Sequence, residues 1–483
     1  VGCGGGAGAT GAPTAAGASP DGAPEGPAGA GSADAAGAQD ADGDAAPEVV
    51  GGGRPLDADE ERALASMVRR TERVRGLTFQ APVAVEVESR QTITQRFLSD
   101  FDEEALEHAR LAYVALGLLD PELDLRGLLA RVLGEQVVGY YDTKQDRLVI
   151  REDVMGWLSR RSGRTGALDA RRRDAHLVIL HELVHALQDQ HFDLDALESD
   201  DLASDVGLAR RSLVEGDATL AILAYSLELV RRPLSSVTQS RTGLDRLLAL
   251  AEEAGDPEGD DQALAEAPPI IRGALLAPYV DGTRFAGHLH GRRGWRGIDE
   301  GFARPPASME QVLHPDAYER REGPDRVELP ALEALTDAGF RRLDDDTLGE
   351  LELSYFFGLG LPEADRDREA AAGWGGDRLA VYRPVEDDGR PVAIWFTAWD
   401  SEAEAVEAAL AATRALRASP TSGASDGSDQ RVRRRGRAVL ILRQLPPALQ
   451  PAVVDAFDAF AASLPAPRDR PVPRLTPSGG RAR

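Results

Sequence analysis

The stretch Leu177-Val178-Ile179-Leu180-His181-Glu182-Leu183-Val184-His185-Ala186-Leu187-Gln188-Asp189-Gln190-His191-Phe192 decides how this chain is read. It contains no Gly or Pro, and its Leu, Ala, Glu and Gln content favours a helix, which the apolar spacing extends back to about Asp169. On a helix, residues four apart differ by about 40° in rotation and about 6 Å in rise, so His181 and His185 share one face. Both imidazoles can then reach a single Zn²⁺ at about 2.0–2.1 Å. Glu182 stands one residue round from His181, beside the metal without pointing at it. There it can take a proton from water and return it to a leaving amine. Leu177, Val178, Leu180, Leu183, Val184 and Leu187 flank the pair, so the helix is expected to be buried.

A third ligand is sought downstream. Leu213-Val214-Glu215-Gly216-Asp217-Ala218 falls in a second helical segment, Ser204 to Leu229. Gly216 costs that helix about 1 kcal/mol, which is explicable if close packing requires a missing side chain. Glu215 completes a His₂Glu set with an open position, the pattern of a catalytic rather than a structural site. His191 is the rival, ten residues after His181. If the helix continues past Gln188, a good helix former, His191 lies about 9 Å along from His185 and out of reach. Asp217 is expected to accept a hydrogen bond from a ligand imidazole. His314, Tyr279 and Tyr318 are candidate donors to a developing oxyanion, with Glu310 and Gln311 as buttresses of the His314 loop.

Around these segments the chain alternates helix and strand signals. A helix is expected at Asp59–Arg75, a short strand at 83–89, and helices at 101–119 and 125–133. Gln136–Tyr141 and Arg147–Ile150 read as a hairpin turning through Asp142–Asp146, with Tyr140 and Tyr141 on opposite faces. A further helix lies near Ile270–Leu289, before Pro305-Pro306. The last third changes character: strands at 379–382, 392–397 and 438–442, and helices at 400–417 and 448–464. The fold class expected is α+β, a mainly helical domain with a small sheet (56–335) followed by a small α+β domain (336–468). Residues 1–55 read as an anchor and linker, and 469–483 as a tail.

The 483 residues are 42% hydrophobic and 28% charged, with only 5% aromatics. The net charge of −26 leaves little basis for nucleic-acid binding, which needs clustered positive charge. Lys144 is the single lysine. No apolar run reaches the roughly 18 residues a transmembrane helix needs. The single cysteine excludes an intrachain disulfide and a Cys-based metal site. That cysteine, Cys3, follows small residues and precedes a Gly/Ala/Pro/Asp tract without Lys or Arg to about residue 53, too polar and aperiodic to bury a core.

Together, HELVHALQDQHF (181–192), the downstream VEGDA (214–218) and the GYYD strand (139–142) resemble zinc metallopeptidases of the gluzincin type. More narrowly, the chain resembles bacterial and archaeal surface lipoproteins carrying such a domain. Pro305–Pro315 and Gly373-Trp374-Gly375-Gly376-Asp377-Arg378 are similar to further segments of those proteins, although Met309 stands where their pattern has Thr. The resemblance covers roughly residues 130 to 400. It implies one Zn²⁺ per chain on His181, His185 and Glu215, with Glu182 as base, and a peptide or protein as substrate. The amino terminus is similar to the end of a lipoprotein signal peptide, which implies acylation of Cys3, attachment to a lipid bilayer and a place outside the cytoplasm. A scaffold lipoprotein with an unused zinc fold and a non-peptidase zinc hydrolase are the alternatives.

Overall fold

Asp57 starts the folded part of the chain. Its carboxylate accepts from the Asp59 and Glu60 amides while Glu60 reaches back to the Asp57 N–H, and helix α1 (Ala58–Arg75) runs from this box to Gly76 at φ 79°. Strand β1 (Ala84–Glu88) and helices α2 (Arg90–Ser99), α3 (Glu103–Leu116) and α4 (Leu125–Gln136) follow. The hairpin forms as expected: β2 (Gly139–Asp142) pairs antiparallel with β3 (Arg147–Arg151), while β1 adds parallel to β3. The order β1-β3-β2 leaves β2 at a sheet edge. Tyr140 faces Phe97 at a centroid distance of 4.8 Å, and Tyr141 faces the main core.

Helix α5 (Glu152–Ser159) leads into α6 (Gly166–Phe192), which packs on β2, β3, α1, α5 and the later helix α7 (Ser204–Leu229). Helices α8 (Gly243–Glu253), α9 (Pro269–Arg293) and α10 (Trp295–Ala303) complete this helical part. The most extensive helix pairing is α7 on α9, made possible by facing glycines. A Cβ on Gly216 would stand 2.2 Å from the Gly282 carbonyl oxygen, and one on Gly282 would stand 2.2 Å from that of Ser212. Gly216 is therefore required by contact with α9, not by contact with the histidine helix.

The remaining chain forms an antiparallel five-stranded sheet of order β4-β5-β6-β8-β7, built from β4 (Phe340–Asp346), β5 (Trp374–Pro384), β6 (Val392–Trp399), β7 (Arg431–Arg435) and β8 (Ala438–Arg443). Helix α11 (Gly349–Gly358) lies between β4 and β5 in the chain. Helix α12 (Glu402–Ala418) lays Ala405, Ala408, Ala412 and Ala415 on one sheet face, and α13 (Gln450–Ser463) places Val453, Phe457 and Phe460 on the other. Asp377 of the WGGD segment is a buried anchor, accepting from the Leu348 and Gly349 amides and from the Trp374 and Trp395 indoles. The sheet is not independent of the helical part: Ala112, Ala115 and Leu116 of α3 belong to the core beneath it. Asp346, at the end of β4, accepts from the Ser204 N–H and hydroxyl and so caps α7.

The architecture is thus a mainly helical α+β fold with a three-stranded and a five-stranded sheet. The computed structural model describes residues 53–99, 101–159, 166–199, 203–240, 242–253, 262–361, 365–386, 389–418 and 429–466. Cys3, the linker through residue 52 and the tail 469–483 lie outside them. No described helix is long and apolar enough to cross a membrane.

Candidate metal centre

Helix α6 carries apolar residues on nearly every side through its middle, with Ile179, Leu180, Leu183, Val184, Ala186 and Leu187 all fully buried. A helix so placed presents His181 and His185 to an interior where unpaired polar groups are costly. Both histidines and Glu215 of α7 are buried there, and their ligand atoms converge. His181 Nε2 lies 3.0 Å from Glu215 Oε2, His185 Nε2 lies 3.1 Å from His181 Nε2, and His185 Nε2 lies 3.5 Å from Glu215 Oε2. A tetrahedral zinc with ligands at about 2.0–2.1 Å spaces its donor atoms about 3.3 Å apart. Two imidazole nitrogens and a carboxylate oxygen at these separations fit a divalent cation. Among the described residues this is the one such cluster of His, Cys, Asp or Glu.

Charge at the centre is already organised. Burial opposes ionisation of Glu215, yet the adjoining His185 and His181 outweigh it and hold the carboxyl down at about 2. Burial likewise opposes charging His185, but Glu215 raises it to about 10. His185 Nδ1 lies 2.8 Å from Gln188 Oε1, which leaves Nε2 on the side of the cluster.

Glu182 is fully buried beside the cluster. Its Oε2 accepts from the Tyr141 N–H of edge strand β2 at 3.1 Å, and its Oε1 has no hydrogen-bond partner. Burial lifts this carboxyl to about 8, partly offset by His185. One oxygen is thus fixed by the sheet and the other is unpaired.

The exclusion of His191 holds, and the expectations for Asp217 and His314 change. Helix α6 continues through Phe192, so His191 turns away; its Nε2 lies 2.8 Å from the Thr78 carbonyl oxygen and its Nδ1 meets Gln80. Asp217 does not receive an imidazole proton; it pairs with Arg75 at 2.7 Å and accepts from Gln188 Nε2 at 2.9 Å. Gln188, three residues on from His185 and on the same face, takes the role expected of Asp217. That i, i+3 spacing is the available signal, whereas nothing local marks Arg75, the last residue of α1. His314 is engaged elsewhere, with Nε2 2.8 Å from Glu350 Oε1 at the start of α11, which leaves its oxyanion role without support. Tyr318 is also committed, donating to the Arg304 carbonyl at 2.9 Å. Tyr279 is the candidate brought to the centre, its ring stacked on that of His181 at 6.1 Å between centroids. Gln311 does buttress the His314 loop, accepting from the Ala307 N–H and donating to the Glu322 carbonyl.

A family model described as a domain of unknown function (DUF8575) matches residues 337–455, from the start of the five-stranded sheet into α13. The metal cluster and Glu182 lie outside that match. No curated protein and no solved structure matches the chain.

Proposed function

We propose that this protein is a zinc metallopeptidase with a zincin-like helical domain, held to a bilayer outside the cytoplasm through an acylated Cys3. The observation that carries the catalytic reading is the convergence of His181, His185 and Glu215 beside a buried Glu182 that keeps one oxygen without a partner. His181, His185 and Glu215 would hold the ion. Bound zinc supplies Lewis acidity toward a carbonyl oxygen and brings the pKa of water toward neutrality.

The chain's own residues account for the rest. Glu182 is buried beside the cluster with Oε1 unpaired, where it would accept a proton and return it to the departing amine. Strand β2 ends its sheet beside the centre, and strand addition there would bind an extended peptide with little regard to sequence once its buried edge is uncovered. Its Tyr141 amide keeps Glu182 in line with that edge. Tyr279, whose ring stacks on that of His181, is the phenol that would serve charge developing on an attacked oxygen at this centre. Intact placement of Glu182 favours an enzyme over a scaffold with an unused site, since a scaffold has no use for a buried carboxylate oxygen without a partner. The test is metal analysis of the purified chain together with hydrolysis of casein-type protein substrates before and after chelation. One zinc per chain and chelator-sensitive hydrolysis are expected; metal-free protein, or hydrolysis indifferent to chelation, would overturn the reading.

A further inference from the structure

Gln188 is fully buried in the middle of the α6–α7 contact, where an apolar side chain would avoid the cost of desolvating an amide. It keeps that amide with three partners. Its Nε2 lies 3.0 Å from the Val214 carbonyl oxygen and 2.9 Å from Asp217 Oδ2, and both of these are acceptors only. The NH₂ must therefore face α7, which turns Oε1 toward His185 Nδ1 at 2.8 Å. An acceptor there requires Nδ1 to carry the proton, which commits Nε2 to the metal side.

The amide is itself held in place. Asp217 pairs with Arg75 at 2.7 Å, with both side chains fully buried, and Arg75 pairs with Asp299 of α10 at 2.7 Å. The Arg75 guanidinium also lies 5.0 Å from the Trp295 ring. An amide flip would set an NH₂ against an imidazole N–H and an oxygen against a carboxylate anchored from α1 and α10. The Val214 bond also ties the amide to the residue preceding Glu215, so one side chain references ligands on both helices.

We infer that Gln188, oriented by Asp217 and Arg75, is a positioning residue that fixes the tautomer of His185 and its register with Glu215 for metal binding. This rests on the metal-centre reading above, and the test separates the two. Zinc affinity is measured by chelator competition, and the bound geometry by the visible absorption of the Co²⁺-substituted protein. Gln188→Met keeps the volume and loses the acceptor; it should raise the zinc dissociation constant about 10- to 100-fold and change the Co²⁺ spectrum. Gln188→Glu alone sets two carboxylates together and should also bind zinc poorly. The exchanged pair Q188E/D217N puts a carboxylate at position 188 to accept from Nδ1–H and an amide at position 217 to donate to it. That pair should recover most of the lost affinity. A residue that merely fastened α6 to α7 would shift the melting temperature without that recovery. Should Gln188→Met fail to fold, Gln188→Glu against the exchanged pair carries the same comparison. Wild type that binds zinc with Gln188→Met binding equally well would overturn the relay alone. Wild type without zinc would remove the metal centre and the relay with it.

Discussion

Two glycines on α7 should respond to the same substitution with opposite signs. At Gly216 an added Cβ meets the Gly282 carbonyl oxygen at 2.2 Å and its carbon at 2.3 Å. Contacts of this kind settle at about 3.3 Å or more, so α7 and α9 must part by about 1 Å. The obstruction is backbone, which cannot swing aside as a side chain does. Overpacking of this sort costs about 1–3 kcal/mol, against about 1 kcal/mol gained from helix propensity, so Gly216→Ala should destabilise by up to about 2 kcal/mol. At Gly207 a Cβ meets nothing within 4 Å, so Gly207→Ala should stabilise by about 0.5–1 kcal/mol. The separation at residue 216 also moves Glu215 relative to His181, and zinc affinity should fall about 10- to 100-fold as it does when ligand support is lost. Urea unfolding and chelator competition on the two variants measure both effects. A Gly216→Ala protein as stable and as zinc-avid as Gly207→Ala would refute the close α7–α9 contact.

Zinc retention should distinguish the two candidate third ligands: Glu215→Ala loses the metal on dialysis, and His191→Ala keeps it, as read by elemental analysis. Stability should fall as pH rises through the alkaline side of neutrality. Burial lifts Asp346 to about 6 and Glu352 to about 8, and Glu350 outweighs burial to raise His314 to about 9. All three folded-state values lie above the ordinary ones, so each contribution is complete only below the group's ordinary value and is lost as pH rises from there through the folded one, which leaves Glu352 and His314 to carry the change above pH 6. Chelator-treated protein should therefore be less stable to urea at pH 9 than at pH 6 by a few kcal/mol, since each tenfold change in proton affinity is worth about 1.4 kcal/mol. His314→Gln should flatten the part of the decline above pH 8; a flat or rising wild-type profile would contradict the assignment.

The centre is legible in the sequence because its geometry is helical. His181, Glu182 and His185 follow from spacing on one helix, and Glu215 from its place on a second, although the glycine beside it serves the α7–α9 contact rather than the histidine helix. Apolar spacing alone marks out helix α7 at Ser204–Leu229. Strands β4 and β7 carry no such mark, and their position explains why: both are sheet edges, and their sequences FRRLDDD and RVRRR lack the alternation that a half-buried strand shows. Tertiary partners are the least visible. Nothing near Arg75 in the chain announces Asp217, which is 142 positions away, and His314 gives no local sign of Glu350. Asp217 does lie close to the centre, but one partner further out than its spacing suggests, because Gln188 reads as a helix former until α7 is packed against it.

Zinc-loaded protein incubated with a mixed-sequence peptide library and read by mass spectrometry, wild type beside Glu182→Gln, bears most directly on the metallopeptidase reading. The substitution preserves shape and polarity while removing basicity. Wild type should cleave peptides, and Glu182→Gln should lose about 10²–10⁴ in rate while keeping its zinc. Cleavage undiminished in Glu182→Gln, or wild type that holds zinc and cleaves nothing, would contradict it.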